Sequence, residues 1–265
     1  MIGEVFGRNL YNKGTPLVCL HGFVGCGFDF SIVADALKIE SPLLAPNFPD
    51  YTATPSTSDD PWASTLDNLH SFIQEQVGDR KCILIGYSMG GRIALQYALK
   101  LQDRLNGLVL VGATPGIEDS QNRLKRLADD NERSTKLITQ PIGSFLKEWL
   151  NQPVLKSQET IPEPYQTNML EARHSMRPKS LAYYLEALGT GSMPSAWECL
   201  VKIKLPTLLI TGEEDLKFAA IAEKMQRLIS DCDHNVIKQA GHAACFEQPT
   251  EFASCIKRFI ETIDN

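Results

Sequence analysis

The stretch CILIGYSMGGRIAL, residues 82 to 95, leaves the backbone few courses. Four β-prone apolar residues, Cys82 to Ile85, run into Gly86-Tyr87-Ser88-Met89-Gly90, and apolar residues then recur at helical spacing. The chain must pass from a buried strand to a helix through a tight turn. Glycines on either side of Ser88 let that helix pack close to the strand that precedes it. A hydroxyl at the end of a buried run costs stability unless it has a task. Ser88 can attack a substrate, remove a proton from one, or cap the helix that follows.

The rest of the chain repeats the theme. PLVCLHG (16–22), SPLLAPNFP (41–49), KCILIGY (81–87), LNGLVLVGAT (105–114), LPTLLITGEED (205–215) and HNVIKQAGH (234–242) read as strands. Helical patterns fall between them, at 28–38, 61–78, 88–102, 217–230 and 249–263. This alternation predicts an α/β fold with a mostly parallel, doubly wound sheet. It stops between residue 115 and about 190, where the pattern is helical and broken at Pro141, Pro153, Pro162, Pro164 and Pro178. The expected organisation is a core from residues 1–114 and 191–265, with a helical lid insertion over 115–190.

Composition narrows the function. A net charge of -6 argues against a general nucleic-acid or anionic-membrane surface, although a local basic cluster could still hold an anionic ligand. No apolar run is long enough to span a membrane, and MIGEVFGRNLYNKG lacks the apolar core of a signal peptide. The seven cysteines are odd in number and scattered, which favours reduced thiols in a cytoplasmic setting over a disulfide framework or zinc site. No metal or organic cofactor is expected, and a monomer is the working expectation.

Three polar residues follow three predicted strands in the order Ser88, Asp215, His242. Ligands of open α/β sheets bind beyond the carboxyl ends of strands, so the three side chains can converge. Taken singly, Ser88 and Asp215 could be helix caps and His242 a loop residue. Taken together, they predict a catalytic triad.

LVCLHGF, IGYSMGGR, LLITGEED and AGHAACFEQP resemble the α/β-hydrolase superfamily across nearly the whole chain. By that likeness the backbone N–H groups of Phe23 and Met89 form an oxyanion hole. GATPGIEDSQNRLKR and YYLEALGTGSMPSAWECLVKIKLPTLLITGEEDLKF further resemble the 2-succinyl-6-hydroxy-2,4-cyclohexadiene-1-carboxylate (SHCHC) synthases, lyases of menaquinone and phylloquinone biosynthesis. The resemblance implies a small-molecule substrate, a succinyl-enolpyruvyl-hydroxycyclohexene carboxylate with three carboxylates. Guanidinium groups suit such a ligand because they bind carboxylates bidentately. It implies Arg92, Arg126 and Arg173 as carboxylate clamps, with Arg123 the competitor for the second role, and Tyr87 and Trp149 as further substrate contacts. The triad alone does not separate this lyase from a carboxylesterase or carbon–carbon bond hydrolase of the same fold.

One loop departs from the pattern. Where the family commonly reads D-x-P-G-H-G, this chain reads Asn47-Phe48-Pro49-Asp50-Tyr51-Thr52. The course of that loop, and any role for Tyr51, stay open at the level of sequence.

Overall fold

The computed structural model describes residues 3–7, 14–38, 41–55 and 58–264. Its sheet has seven strands: β1 (Gly3–Phe6), β2 (Leu17–Leu20), β3 (Leu43–Pro46), β4 (Cys82–Tyr87), β5 (Leu105–Val111), β6 (Thr207–Gly212) and β7 (Cys232–Ile237). They lie in the order β1-β3-β2-β4-β5-β6-β7. Among the described residues, only the β1–β3 pairing is antiparallel and every other pair is parallel. The alternation pattern does not predict β1, a four-residue edge strand that is only partly buried. The strand expected over 234–242 is also displaced: β7 ends at Ile237, and the chain then turns toward His242.

The central strands are largely apolar because both of their faces are covered. Val18, Leu20, Leu84, Leu108 and Leu110 join the core on one side, packed with α2 (Pro61–Val77) and α3 (Met89–Leu101). Their neighbours Leu17, Cys19, Ile83, Ile85, Val109 and Val111 join the other, with α1 (Ser31–Leu37) and α10 (Pro249–Asp264). The remaining core helices are α8 (Leu216–Gln226) and the short α9 (Ala244–Glu247).

Between β5 and β6 the described elements are helical: α4 (Ser120–Thr139), α5 (Ile142–Leu150), a 3-10 helix (Pro153–Thr160), α6 (Tyr165–His174) and α7 (Pro178–Leu188). Four prolines of this segment stand where helices begin. Pro141 and Pro164 occupy N-cap positions, and Pro153 and Pro178 open their helices, where a missing N–H costs nothing. A separate apolar cluster, including Leu137, Phe145, Leu146, Leu181 and Leu185, holds the segment together and reaches Val24 and Tyr51 of the core. Among the described residues, no helix is long and apolar enough to cross a membrane.

Candidate active site

Ser88 sits between β4 and α3 with φ 52° and ψ −107°, a conformation costly for any residue with a side chain. The surroundings impose it. A Cβ on Gly90 would stand 2.2 Å from the Leu20 carbonyl oxygen, and one on Gly86 would stand 2.4 Å from the Gly90 carbonyl oxygen. Helix α3 thus packs backbone to backbone on β2 and β4, and the Ser88 N–H is held by the Val111 carbonyl at 2.8 Å. The Ser88 side chain makes no capping bond to α3, so the cap reading does not account for it.

Its hydroxyl lies 3.1 Å from His242 Nε2, and His242 Nδ1 lies 2.6 Å from Asp215 Oδ2. Asp215 and His242 are both more than nine-tenths buried. A carboxylate can only accept, so Nδ1 carries the proton and Nε2 is left to accept from Ser88. Asp215 also caps α8, its Oδ1 accepting from the Phe218 N–H at 3.4 Å. Capping and histidine orientation are combined in this one side chain. Among the described residues, no three His, Cys, Asp or Glu side chains cluster as metal ligands would.

Among the described residues, Ser88 lines a larger and a smaller cavity. The larger, about 370 Å³, is lined by Ser88, Met89, Arg92, Arg126, Trp149 and His242, with Phe23 at its edge. Arg92 is 6% exposed and donates from Nη1 to the Leu188 carbonyl at 2.7 Å. Burial, aided by the charge of Arg126, lowers its pKa to about 10, so it remains a cation at neutral pH. Arg126 commits Nε to Asp130 Oδ1 at 2.8 Å and keeps its terminal nitrogens for other partners. Arg123 is exposed and lines neither cavity, so Arg126 is the arginine of this pair at the site. Arg133 and Lys217 add two cations to the larger cavity that sequence reading missed. Acidic residues stand just before each of them, Glu132 before Arg133 and Glu213 to Asp215 before Lys217, so no local basic excess betrays them.

The smaller cavity, about 40 Å³, contains Tyr87, Arg173, Gln158 and Asp29, and shares Phe23, Ser88 and Trp149 with the larger. Arg173 therefore lines a different cavity at Ser88 from the one that Arg92 and Arg126 line. It is 8% exposed, its Nη2 donates to Gln158 Oε1 at 3.0 Å, and its Nε has no hydrogen-bond partner among the described residues. Burial raises the Asp29 carboxyl to about 6 against the opposing influence of Arg173. Trp149 packs edge-on against Phe23, with ring centroids 5.0 Å apart.

The divergent 47–52 loop also has a definite course. Phe48 N–H donates to His21 Nε2 at 2.9 Å, and Asn47 Oδ1 accepts from Gly27 N–H at 2.8 Å. Tyr51 is 2% exposed, packs edge-on against Phe23 and directs its hydroxyl to Met89 Sδ at 3.3 Å. It buttresses the two residues whose N–H groups were expected to form the oxyanion hole.

The fold and this arrangement define a class. The family described as the alpha/beta hydrolase fold matches residues 15–249. A Bacillus subtilis protein described as a putative SHCHC synthase is 30% identical over 254 residues, covering 95% of this chain and 92% of its own length. A SHCHC synthase of Serratia proteamaculans is 28% identical, with 92% of both chains covered. The solved structure of MenH from S. aureus superposes with a TM-score of 0.91 at 30% identity, covering 99% of this chain and 98% of its own. The chain belongs to the α/β-hydrolase family and, within it, to the SHCHC synthases.

Proposed function

We propose that the protein eliminates pyruvate from a 2-succinyl-5-enolpyruvyl-6-hydroxy-3-cyclohexene-1-carboxylate to give SHCHC, a step in making menaquinone or phylloquinone. The observation that carries this reading beyond the family relationship is the placement of guanidinium groups in both cavities that Ser88 lines. Arg92 and Arg126 line the larger cavity and Arg173 the smaller, an arrangement suited to a ligand with separated carboxylates. A simple neutral ester has no use for it.

In this reading Ser88, His242 and Asp215 are the catalytic triad. Ser88 removes the proton next to the succinyl carbonyl while its own proton passes to His242 Nε2. Asp215 holds the imidazole with Nδ1 protonated and favours the imidazolium that forms. The electron pair moves onto the carbonyl oxygen as an enolate, held by the N–H groups of Phe23 and Met89. Its return breaks the bond from ring carbon to enolpyruvyl oxygen. Pyruvate leaves as its enolate and takes up a proton. The segment over 115–190 is a lid whose Trp149 and Arg126 close over the substrate, and Tyr87 lies against its smaller compartment.

The test is pyruvate release from the succinyl-enolpyruvyl-hydroxycyclohexene carboxylate by the wild type, Ser88→Ala and Arg92→Ala. Release by the wild type, abolished by the first change and severely weakened by the second, is expected. No release, with brisk hydrolysis of aryl esters and an acyl adduct on Ser88, overturns the reading in favour of an esterase.

A further inference from the structure

We infer that two adjacent lid residues, Ser157 and Gln158, are positioning residues with separate tasks: Ser157 sets His242 through Glu247, and Gln158 sets Arg173. The second task rests on the reading of Arg173 as a carboxylate clamp; the first does not.

Both residues belong to the 3-10 helix Pro153–Thr160. Ser157 Oγ donates to Glu247 Oε1 at 2.9 Å, and the same oxygen accepts the Ala243 N–H at 3.0 Å. Glu247 Oε2 accepts the Gly241 N–H. One buried carboxylate thus grips the peptide groups before and after His242. The lid reaches it with no side chain intervening. A Cβ on Gly241 would stand 2.1 Å from Ser157 Oγ, so the hydroxyl rests directly on the loop that carries the histidine. Glu247 uses its acceptors on that loop and on the lid together, and the loss of Ser157 leaves Oε1 held by the Ala243 N–H without its tie to the lid.

Gln158 turns instead to the residues of the smaller cavity. Its Oε1 accepts from Arg173 Nη2 at 3.0 Å and its Nε2 donates to the Tyr87 hydroxyl at 3.2 Å. A guanidinium only donates, so the amide must turn its oxygen to Arg173 and its NH₂ to Tyr87. The bond directs the buried guanidinium into the smaller cavity, and Tyr87, the residue before Ser88, is the fixed point from which it is measured.

The inference is tested by kinetics on the proposed substrate and by long-range ¹H–¹⁵N spectra of the histidine rings in the full-length protein. Ser157→Ala and Glu247→Gln are expected to lower kcat about tenfold with KM within about twofold of wild type. Gln158→Leu is expected to raise KM about tenfold, with kcat changed far less. Gln158→Glu keeps the acceptor for Arg173 and is expected to recover most of the lost KM. In the spectra, Ser157→Ala changes the tautomer population or titration of His242, and Gln158→Leu leaves both as in the wild type. The inference is overturned if Ser157→Ala and Gln158→Leu move kcat and KM together. It is also overturned if both variants lower only the melting temperature, or if Ser157→Ala leaves the His242 ring unchanged. Should the wild type release no pyruvate, the functional reading fails, and the histidine spectra still decide the role of Ser157.

Discussion

Arg92 donates to the backbone carbonyl of Leu188 at 2.7 Å, tying the helix behind Ser88 to the last residue of α7. Arg92→Ala removes a cation from the cavity and leaves that carbonyl without its donor. An orphaned buried acceptor costs about 1–3 kcal/mol, and charge-assisted bonds to a carboxylate contribute about 1.5–3 kcal/mol each. The expected outcome is a hundredfold or greater fall in kcat/KM together with a lower urea midpoint. Arg92→Lys keeps the charge but not the two-pronged geometry, and is expected to raise KM about tenfold. Equal activity of the Lys variant and wild type would show that Arg92 acts as a point charge only.

Asp130 is 1% exposed and serves three partners: Arg126 Nε at 2.8 Å, Arg133 Nη1 at 3.4 Å and the Gly191 N–H at 3.4 Å. Its carboxylate orients Arg126 while tying α4 to the backbone of Gly191. Both arginine side chains are about one-third exposed, so solvent screening reduces the pairing energy and a loss of only about 1–2 kcal/mol is expected for Asp130→Asn. The larger effect falls on binding, with KM raised about five- to tenfold and kcat less affected. Steady-state kinetics beside chemical denaturation check both. Unchanged KM would remove Arg126 from the substrate site.

The contrast between these two arginines shows what the sequence makes legible. Arg92 was readable because it lies one helical turn after Ser88, and the strand-to-helix turn around Ser88 has a strong local signature. Ser88 and Asp215 were readable for a like reason, each following a strand of recognisable apolar character, whereas His242 was placed by a strand pattern that ends in the structure at Ile237. Arg126 and Arg123 could not be separated by pattern, since α4 is polar on most sides and its buried residues include Asp130 and Ser134. The signal that separates them is the acid four residues after Arg126. Gln158, Ser157 and Glu247 make contacts 15 to 90 residues apart in the chain, as the Gln158–Arg173, Gln158–Tyr87 and Ser157–Glu247 bonds show. No local rule reaches them. Tyr51 was unassigned because its loop lacks the family's glycines, and only packing against Phe23 and Met89 gives it a place. β1 escaped notice because a short, half-buried edge strand carries little apolar pattern.

Gly90→Ala tests the backbone contact beneath Ser88. The new methyl would stand 2.2 Å from the Leu20 carbonyl oxygen, and a backbone atom cannot swing aside as a side chain end can. Either α3 retreats from β2 or the strand bends. Overpacking of this kind costs about 1–3 kcal/mol, and the displacement moves the Met89 N–H and Ser88 with it. A lowered melting temperature and a fall in kcat of about a hundredfold are expected. A variant with wild-type kcat would mean that the turn tolerates movement of α3.

Two buried groups give the stability of the protein a pH dependence that a single substitution can expose. Asp29 is raised from 3.8 to about 6 by burial. Between those values the folded protein holds a proton that the unfolded chain has lost, so this group lowers stability as pH rises through the window. His21 is lowered from 6.5 to about 4, again by burial, while its Nε2 accepts from the Phe48 N–H. Between about 4 and 6.5 the unfolded chain holds the extra proton, so His21 raises stability with pH. The two trends oppose each other over nearly the same range. Asp29→Asn removes the first and keeps an acceptor for the Cys26 N–H. Relative to wild type, the variant is therefore expected to gain stability from pH 4 to pH 7, by up to about 3 kcal/mol for a shift of about two pH units at 1.36 kcal/mol each. Urea unfolding of both proteins across that range measures the difference directly. A difference independent of pH would mean that Asp29 ionises in the folded protein as it does in the unfolded chain, and that Arg173 offsets its burial in full.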